Sequence, residues 1–245
     1  MSGKKNPLLI RRITDILMTV LLLFLMAYQV TGEVLHEWIG IIMTLLVILH
    51  QILNRRWYSS LFKGRYDAYR FLQVCVNVLL IASFLLTAVC GMSMSGHAVP
   101  FLYGILKISF SRRMHLSLSH WSFVLMGLHL GLHIPMIFAG WKLSKQKKTF
   151  LSILFSIIGG LGFYLFLRSG MSDYLFFRVP FAFLDYDKEG ILVLLENLTM
   201  LVFWTFTGTQ IGLSFRKKNV RPLIYLILSL LIGILLNGII PLNKS

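Results

Sequence analysis

The chain has 245 residues, of which 57% are hydrophobic and 13% charged, against roughly 25% charged in a soluble domain. That composition excludes an ordinary water-soluble fold and turns most of the surface toward lipid, while the length suits one compact body. The net charge of +15 does not point to nucleic acid. The basic residues form short clusters beside apolar runs, as membrane lipid and topology require, with no aromatic-interleaved basic surface.

A spanning helix needs about 20 apolar residues. Seven runs meet this need in chain order, at about 13–31, 34–53, 69–91, 114–139, 150–168, 191–213 and 222–240. No alternating polar and apolar pattern suggests a barrel. The expected fold is all-α, a polytopic bundle of about seven transmembrane helices. The first run starts basic, but "YQVTGEV" after it offers no small-x-small cleavage site, so an uncleaved helix is expected. No soluble domain is expected before or after the spans.

Charge orients the bundle. Lys4, Lys5, Arg11 and Arg12 precede or open the first run. Arg55, Arg56, Lys63, Arg65 and Arg70 follow the second; Lys142, Lys145, Lys147 and Lys148 follow the fourth; Arg216, Lys217, Lys218 and Arg221 follow the sixth. Seventeen of the 24 basic residues thus fall on one face, joined by only Asp15 and Asp67 of the nine acids. The positive-inside rule makes that face cytoplasmic, with the N-terminus inside and the C-terminus outside.

The second run opens and closes on histidine: "HEWIGIIMTLLVILH", from His36 to His50. Fourteen helical residues rise about 21 Å and turn about 1400°, roughly 40° short of four turns. Both imidazoles therefore leave nearly the same face, at opposite ends of the membrane core. The third run holds Cys75 and Cys90, read as apolar packing. No Cys-x-x-Cys-His motif attaches a c-type haem, and no four-cysteine set holds an iron–sulfur cluster. The fourth run, "SRRMHLSLSHWSFVLMGLHLGLHIP", repeats the interval at His115 and His129. It runs in the same direction as the second. His36 is then expected to face His115 at the outer level, and His50 to face His129 at the inner level.

Zinc wants four protein ligands, or three and water, whereas each level offers two obvious histidines and carboxylates are scarce at the inner one. Haem iron needs only the two axial ligands left free by its macrocycle. Facing helices of a bundle build such sites. The pattern therefore points to two stacked b-type haems. The plainer alternative, histidines that pack or relay protons, is weaker for four residues at matched depths, since polar groups in lipid tend to be functional.

Other residues are less specific. Gly40, one turn from His36, admits a flat ring or is an ordinary membrane-helix glycine. Gly127 and Gly131 form a small-xxx-small pair on the face away from the His129 imidazole, suited to close approach of another helix. Arg112 and Arg113 lie against the charge trend at the outer level and are candidates to pair haem propionates. Arg55 and Arg56 are read as topology anchors. His133, one turn past His129, is an alternative inner ligand or a quinone or proton group. His120 is read as structural, Trp121 as an interfacial anchor and His97 as solvated. Glu196, Asn197, Thr199 and Gln210 in the sixth run line a polar pocket or make bundle hydrogen bonds. The aromatic stretch 172–186 is expected at the interface.

The stretches "HEWIG", "LHQILNRRWY", "RRMH" and "SHWSFVLMGLHLGLH" resemble the flavinylation-associated cytochrome family, bacterial membrane proteins related to b-type dihaem cytochromes. The similarity covers about residues 33–135, with a further echo in "FLDYDKEG". It implies a dihaem cytochrome b-like four-helix core over residues 1–140 and three added helices over 141–245. It also implies two haem b groups held by His36, His50, His115 and His129, in a bacterial cytoplasmic membrane. The implied role is electron transport to an extracytosolic flavoprotein or FMN-binding domain, fed by a quinol or a cytosolic-side donor. FMN would sit only on the partner. Two rival readings stand beside this one: a ferric-reductase-like or quinone-reducing enzyme, for which no Gly-rich dinucleotide motif is present, and a haem-free transporter or assembly factor. An electron-transfer subunit suits the chain better than a stand-alone enzyme.

Overall fold

A computed structural model describes residues 7–137 and 144–240. Lys4, Lys5 and Lys142 of the basic clusters, and the end of the fourth expected span, lie outside the described residues. Seven long helices follow one another: α1 (Pro7–Met26), α2 (Tyr28–Leu53), α4 (Ala68–Met92), α5 (Ile108–Ile137), α6 (Lys145–Arg168), α8 (Gly190–Lys217) and α9 (Arg221–Ile239). Two short helices, α3 (Arg56–Ser60) and α7 (Met171–Leu175), lie in the connections. The described residues contain no strand.

Five of the long helices, α2, α4, α6, α8 and α9, are long and apolar enough to cross a membrane, which makes this a multi-pass membrane protein. The expected count was seven. Helix α1 falls short through Arg11, Arg12 and Asp15, and α5 through its arginines, serines and histidines. Lipid-facing chemistry covers the outside: Leu45, Ile48, Leu79, Leu86 and Leu235 are all exposed. In water such a surface would aggregate.

The first helix ends earlier than expected, although the chain turns where the gap between the first two runs places it. Helix α1 ends at Met26 rather than near residue 31, and α2 contains a break at Gly32, with φ 66° and ψ 177°. Only glycine adopts that backbone without strain. The chain reverses there into an antiparallel hairpin, so Arg11 Nη2 donates to Leu53 O at 2.7 Å and Asp15 lies beside His50.

Helix α5 is the centre of the bundle. Helix α4 packs antiparallel along it, marked by Ser122 Oγ donating to Ser83 Oγ and Tyr69 Oη donating to Leu132 O. Helix α8 runs parallel on another side, as close as the small-xxx-small pair requires. A Cβ on Gly127 would lie 2.4 Å from Trp204 Cβ, and one on Gly131 would lie 2.1 Å from Thr205 O. Thr209 Oγ1 fixes the contact by donating to Gly131 O. Glycines 159, 160, 162 and 233 and serines 156 and 229 bring α6 against α8 and α9 in the same way. Without a hydrophobic drive between helices in lipid, this close packing is what holds them.

Helix α7 departs from the interfacial reading of residues 172–186. Met171, Tyr174 and Leu175 are buried, and Leu175 O accepts from Ser117 Oγ and Trp121 Nε1 of α5. Trp121 is therefore tied to a neighbouring segment through its indole N–H. Phe181, Phe183 and Tyr186 beyond it are exposed, as expected of that stretch.

Candidate functional site

Helices α2 and α5 run parallel, yet their backbones stay apart. They meet through side chains at three levels. At one end the His36 and His115 rings face each other, with centroids 6.1 Å apart and planes at 72°. At the other, the basic end, His50 faces His129 at 6.5 Å and 74°. Between them Met43 and Phe123, 1% and 0% exposed, join Met18 and Leu22 in an apolar layer. Met43 lies midway along the chain between His36 and His50, and Phe123 one residue past the midpoint of His115 and His129. The fourteen-residue interval thus yields two polar levels separated by a dry one.

The separations carry chemical meaning. Two imidazoles bound to one metal from opposite sides hold their ring centres about 6.2 Å apart, given about 2.0 Å per metal–nitrogen bond. Both pairs lie close to that value. Both also fall in the ~4.5–7 Å range of edge-to-face ring contacts, so it is their repetition at two depths on the same two helices that sets them apart.

The other ring nitrogens are largely engaged. His50 Nδ1 pairs with Asp15 Oδ1 of α1 at 2.8 Å. His129 Nδ1 pairs with Asn77 Oδ1 of α4 at 2.8 Å, and His115 Nδ1 with Thr87 O of α4 at 2.9 Å. Each acceptor fixes the tautomer with hydrogen on Nδ1 and leaves the lone pair on Nε2, the arrangement metal-ligating histidines almost always show, although at His50 that nitrogen also lies within reach of Asn54 Nδ2. Asn54 Nδ2 lies 3.4 Å from both ring nitrogens of His50 and donates to His50 O at 2.9 Å. His36 differs: its Nδ1 is buried without a hydrogen-bond partner among the described residues, and its ring meets Tyr28 edge-on at 5.1 Å.

Sequence reasoning brought the four histidines together correctly but missed Asp15, Asn77 and Thr87. It counted the inner level as poor in carboxylates, and Asp15 is there. The available signal was a lone carboxylate and a lone asparagine inside apolar runs. Gly91 was also missed. A Cβ there would lie 3.0 Å from His115 Cε1 and 3.1 Å from Nδ1, so the glycine makes room for the ring.

The remaining candidates separate cleanly. His133 lies 4.6 Å from the His129 ring, tilted against it, and among the described residues meets no ring across the gap. His120 stacks on Tyr174 at 4.6 Å and bonds Leu116 O through Nδ1, which satisfies it structurally. Gly40 faces open space, with nothing within 4 Å of an added Cβ. Arg112 and Arg113 are exposed near the His36–His115 end. Glu196 is held by Lys188 and Thr199 bonds Leu195 O of its own helix, while Asn197 and Gln210 are buried. Cys75 and Cys90 are free thiols in packed positions.

Among the described residues, three potential metal ligands converge only at Glu33, Glu37 and His97, outside both pairs. Glu37 is already committed there. Its carboxylate accepts from Ser95 Oγ and from the backbone N–H groups of Gly96, His97 and Ala98, at 2.7–3.0 Å. This clamp ties the connection after α4 to the residue next to His36. Charged hydrogen bonds of this kind contribute about 1.5–3 kcal/mol each when buried, and less where water reaches them. Glu37→Ala is expected to cost about 2 kcal/mol locally, read as faster proteolysis within residues 93–107 while the bundle stays folded.

No family model matches this chain, and no curated protein or solved structure matches it either.

Proposed function

We propose that this protein is a membrane b-type cytochrome that carries electrons across the bacterial cytoplasmic membrane through two bis-histidine haems. The observation that carries the reading is the pair of facing imidazoles, 6.1 and 6.5 Å between centroids, repeated at two depths on two parallel helices. Haem supplies a reversible one-electron couple when bound. His36 and His115 would hold one group and His50 and His129 the other. Asp15, Asn77 and Thr87 would orient three of the four ligands. An iron held by a histidine on each side would offer no coordination site to a substrate, which favours electron carriage over catalysis.

His129 is preferred to His133 as ligand because His129 faces His50 and has an Nδ1 partner across the bundle. The four-helix core of this reading comprises α1, α2, α4 and α5, with α8 braced against α5. Meeting side chains fill the middle of the α2–α5 gap, so the low dielectric between the two levels comes from Met43 and Phe123. By the positive-inside rule the basic end is cytoplasmic, and on the family resemblance it would receive electrons from a quinol or a cytosolic-side donor. The far end delivers them to an extracytosolic flavoprotein or FMN-binding domain, with Arg112 and Arg113 available to haem propionates.

Gly91→Val tests the ligand assignment at one level alone. The larger side chain pushes His115 off its position, so one of two haems is expected to be lost while His50 and His129 keep theirs. Haem content per chain in purified protein measures this, and retention of both groups would contradict the assignment of His115.

A further inference from the structure

The four histidines differ in what stands behind them, and the difference divides the two ends. At the basic end, His50 Nδ1 bonds a carboxylate, Asp15, and His129 Nδ1 bonds the amide oxygen of Asn77. At the opposite end, His115 Nδ1 bonds a single backbone carbonyl, Thr87 O, and His36 Nδ1 has no partner among the described residues. A carboxylate on Nδ1–H pulls the proton and makes the ring a stronger electron donor through Nε2. Its charge also acts across a short path, the 2.8 Å contact to the ring, although the carboxylate itself is nearly half exposed. Arg11, one turn away on α1, spends its Nη2 on Leu53 O, and His50 is the only ion-pair partner of Asp15 among the described residues.

We propose that Asp15 is a positioning residue that sets the midpoint potential of the basic-end centre below that of the opposite centre. This rests on the dihaem reading above. A stronger donor and a nearby negative charge both favour the oxidised state of a bound iron, and hydrogen bonding to the ligand is one of the established levers on its potential. An electron passing from the basic end to the far end then runs downhill. One centre is oxidised and the other reduced by a single electron, with no bond made or broken. The direction is written in the hydrogen-bond acceptors of the two levels rather than in the ligands, which are the same at both.

The test is a spectroelectrochemical titration of the full-length protein at neutral pH, with low-temperature electron paramagnetic resonance of the oxidised form. Wild type is expected to show two waves, the lower one absent in His50→Ala. Asp15→Asn is expected to move that lower wave upward, to leave the other in place and to change the g-values of one centre only. Asp15→Glu is expected to restore the low potential. If both haems are retained and neither wave moves in Asp15→Asn, or if the lower wave survives in His50→Ala, the proposal is overturned while the cytochrome reading stands. Should Asp15→Asn lose the basic-end haem, Asn77→Asp carries the same test from the other ligand. A carboxylate on His129 is expected to lower the wave further, and an unmoved wave overturns the proposal. A wild-type protein without haem overturns both readings together.

Discussion

His129→Ala is expected to leave the protein with one haem in place of two, with the bundle intact. The imidazole fills one side of the gap to His50, and on the proposed reading its loss would remove a ligand that no other ring among the described residues faces His50 to supply. His133 is the obvious substitute by sequence, but its ring packs against His129 and makes no ring contact across the gap among the described residues. His133→Ala is accordingly expected to keep both haems. Pyridine haemochrome assays on the two variants separate these outcomes. Two haems in His129→Ala together with one in His133→Ala would reverse the assignment.

The second large effect is structural. Gly131→Leu is expected to destroy the bundle, because even the first carbon of the side chain would lie 2.1 Å from Thr205 O and 2.7 Å from Thr209 N. Those atoms are backbone on α8 and cannot step aside without parting the helices. Overpacking commonly costs 1–3 kcal/mol, and a backbone collision on this scale about 3 kcal/mol or more. Loss of the monodisperse species in detergent, and of the thermal unfolding transition, measures it. Gly40→Ala is the contrast: its Cβ meets open space, so the fold is expected to hold.

The histidine pairs were legible because their geometry depends on one helix at a time. A fourteen-residue interval fixes depth and rotation along α2 and along α5 separately, and alternating topology makes the two parallel. The glycine pair at 127 and 131 was legible for the same reason. Asp15 and Asn77 were not, since their roles depend on how α1 and α4 rotate about their axes when they pack, and packing among apolar faces leaves little periodic signal. The hairpin corner falls at Gly32, in the gap between the expected runs 13–31 and 34–53, but the break in helix after Met26 carries no sequence signal because residues 27–31 continue the run. Residues 171–175 look interfacial by composition, yet Ser117 and Trp121 of α5 recruit their carbonyl, a contact set by tertiary structure alone. The count of spans blurred where polar residues enter the helices. Helices α1 and α5 are the ones whose charges, histidines and serines dilute their hydropathy, and they carry Asp15, His115 and His129.

The most direct measurement is haem stoichiometry by pyridine haemochrome, on the full chain expressed with sufficient haem and purified folded. Two b-type haems per chain are expected, with reduced-minus-oxidised bands to match. A folded, monodisperse protein that holds none, and takes up none when haem is added, would contradict the reading of the two histidine pairs as haem ligands.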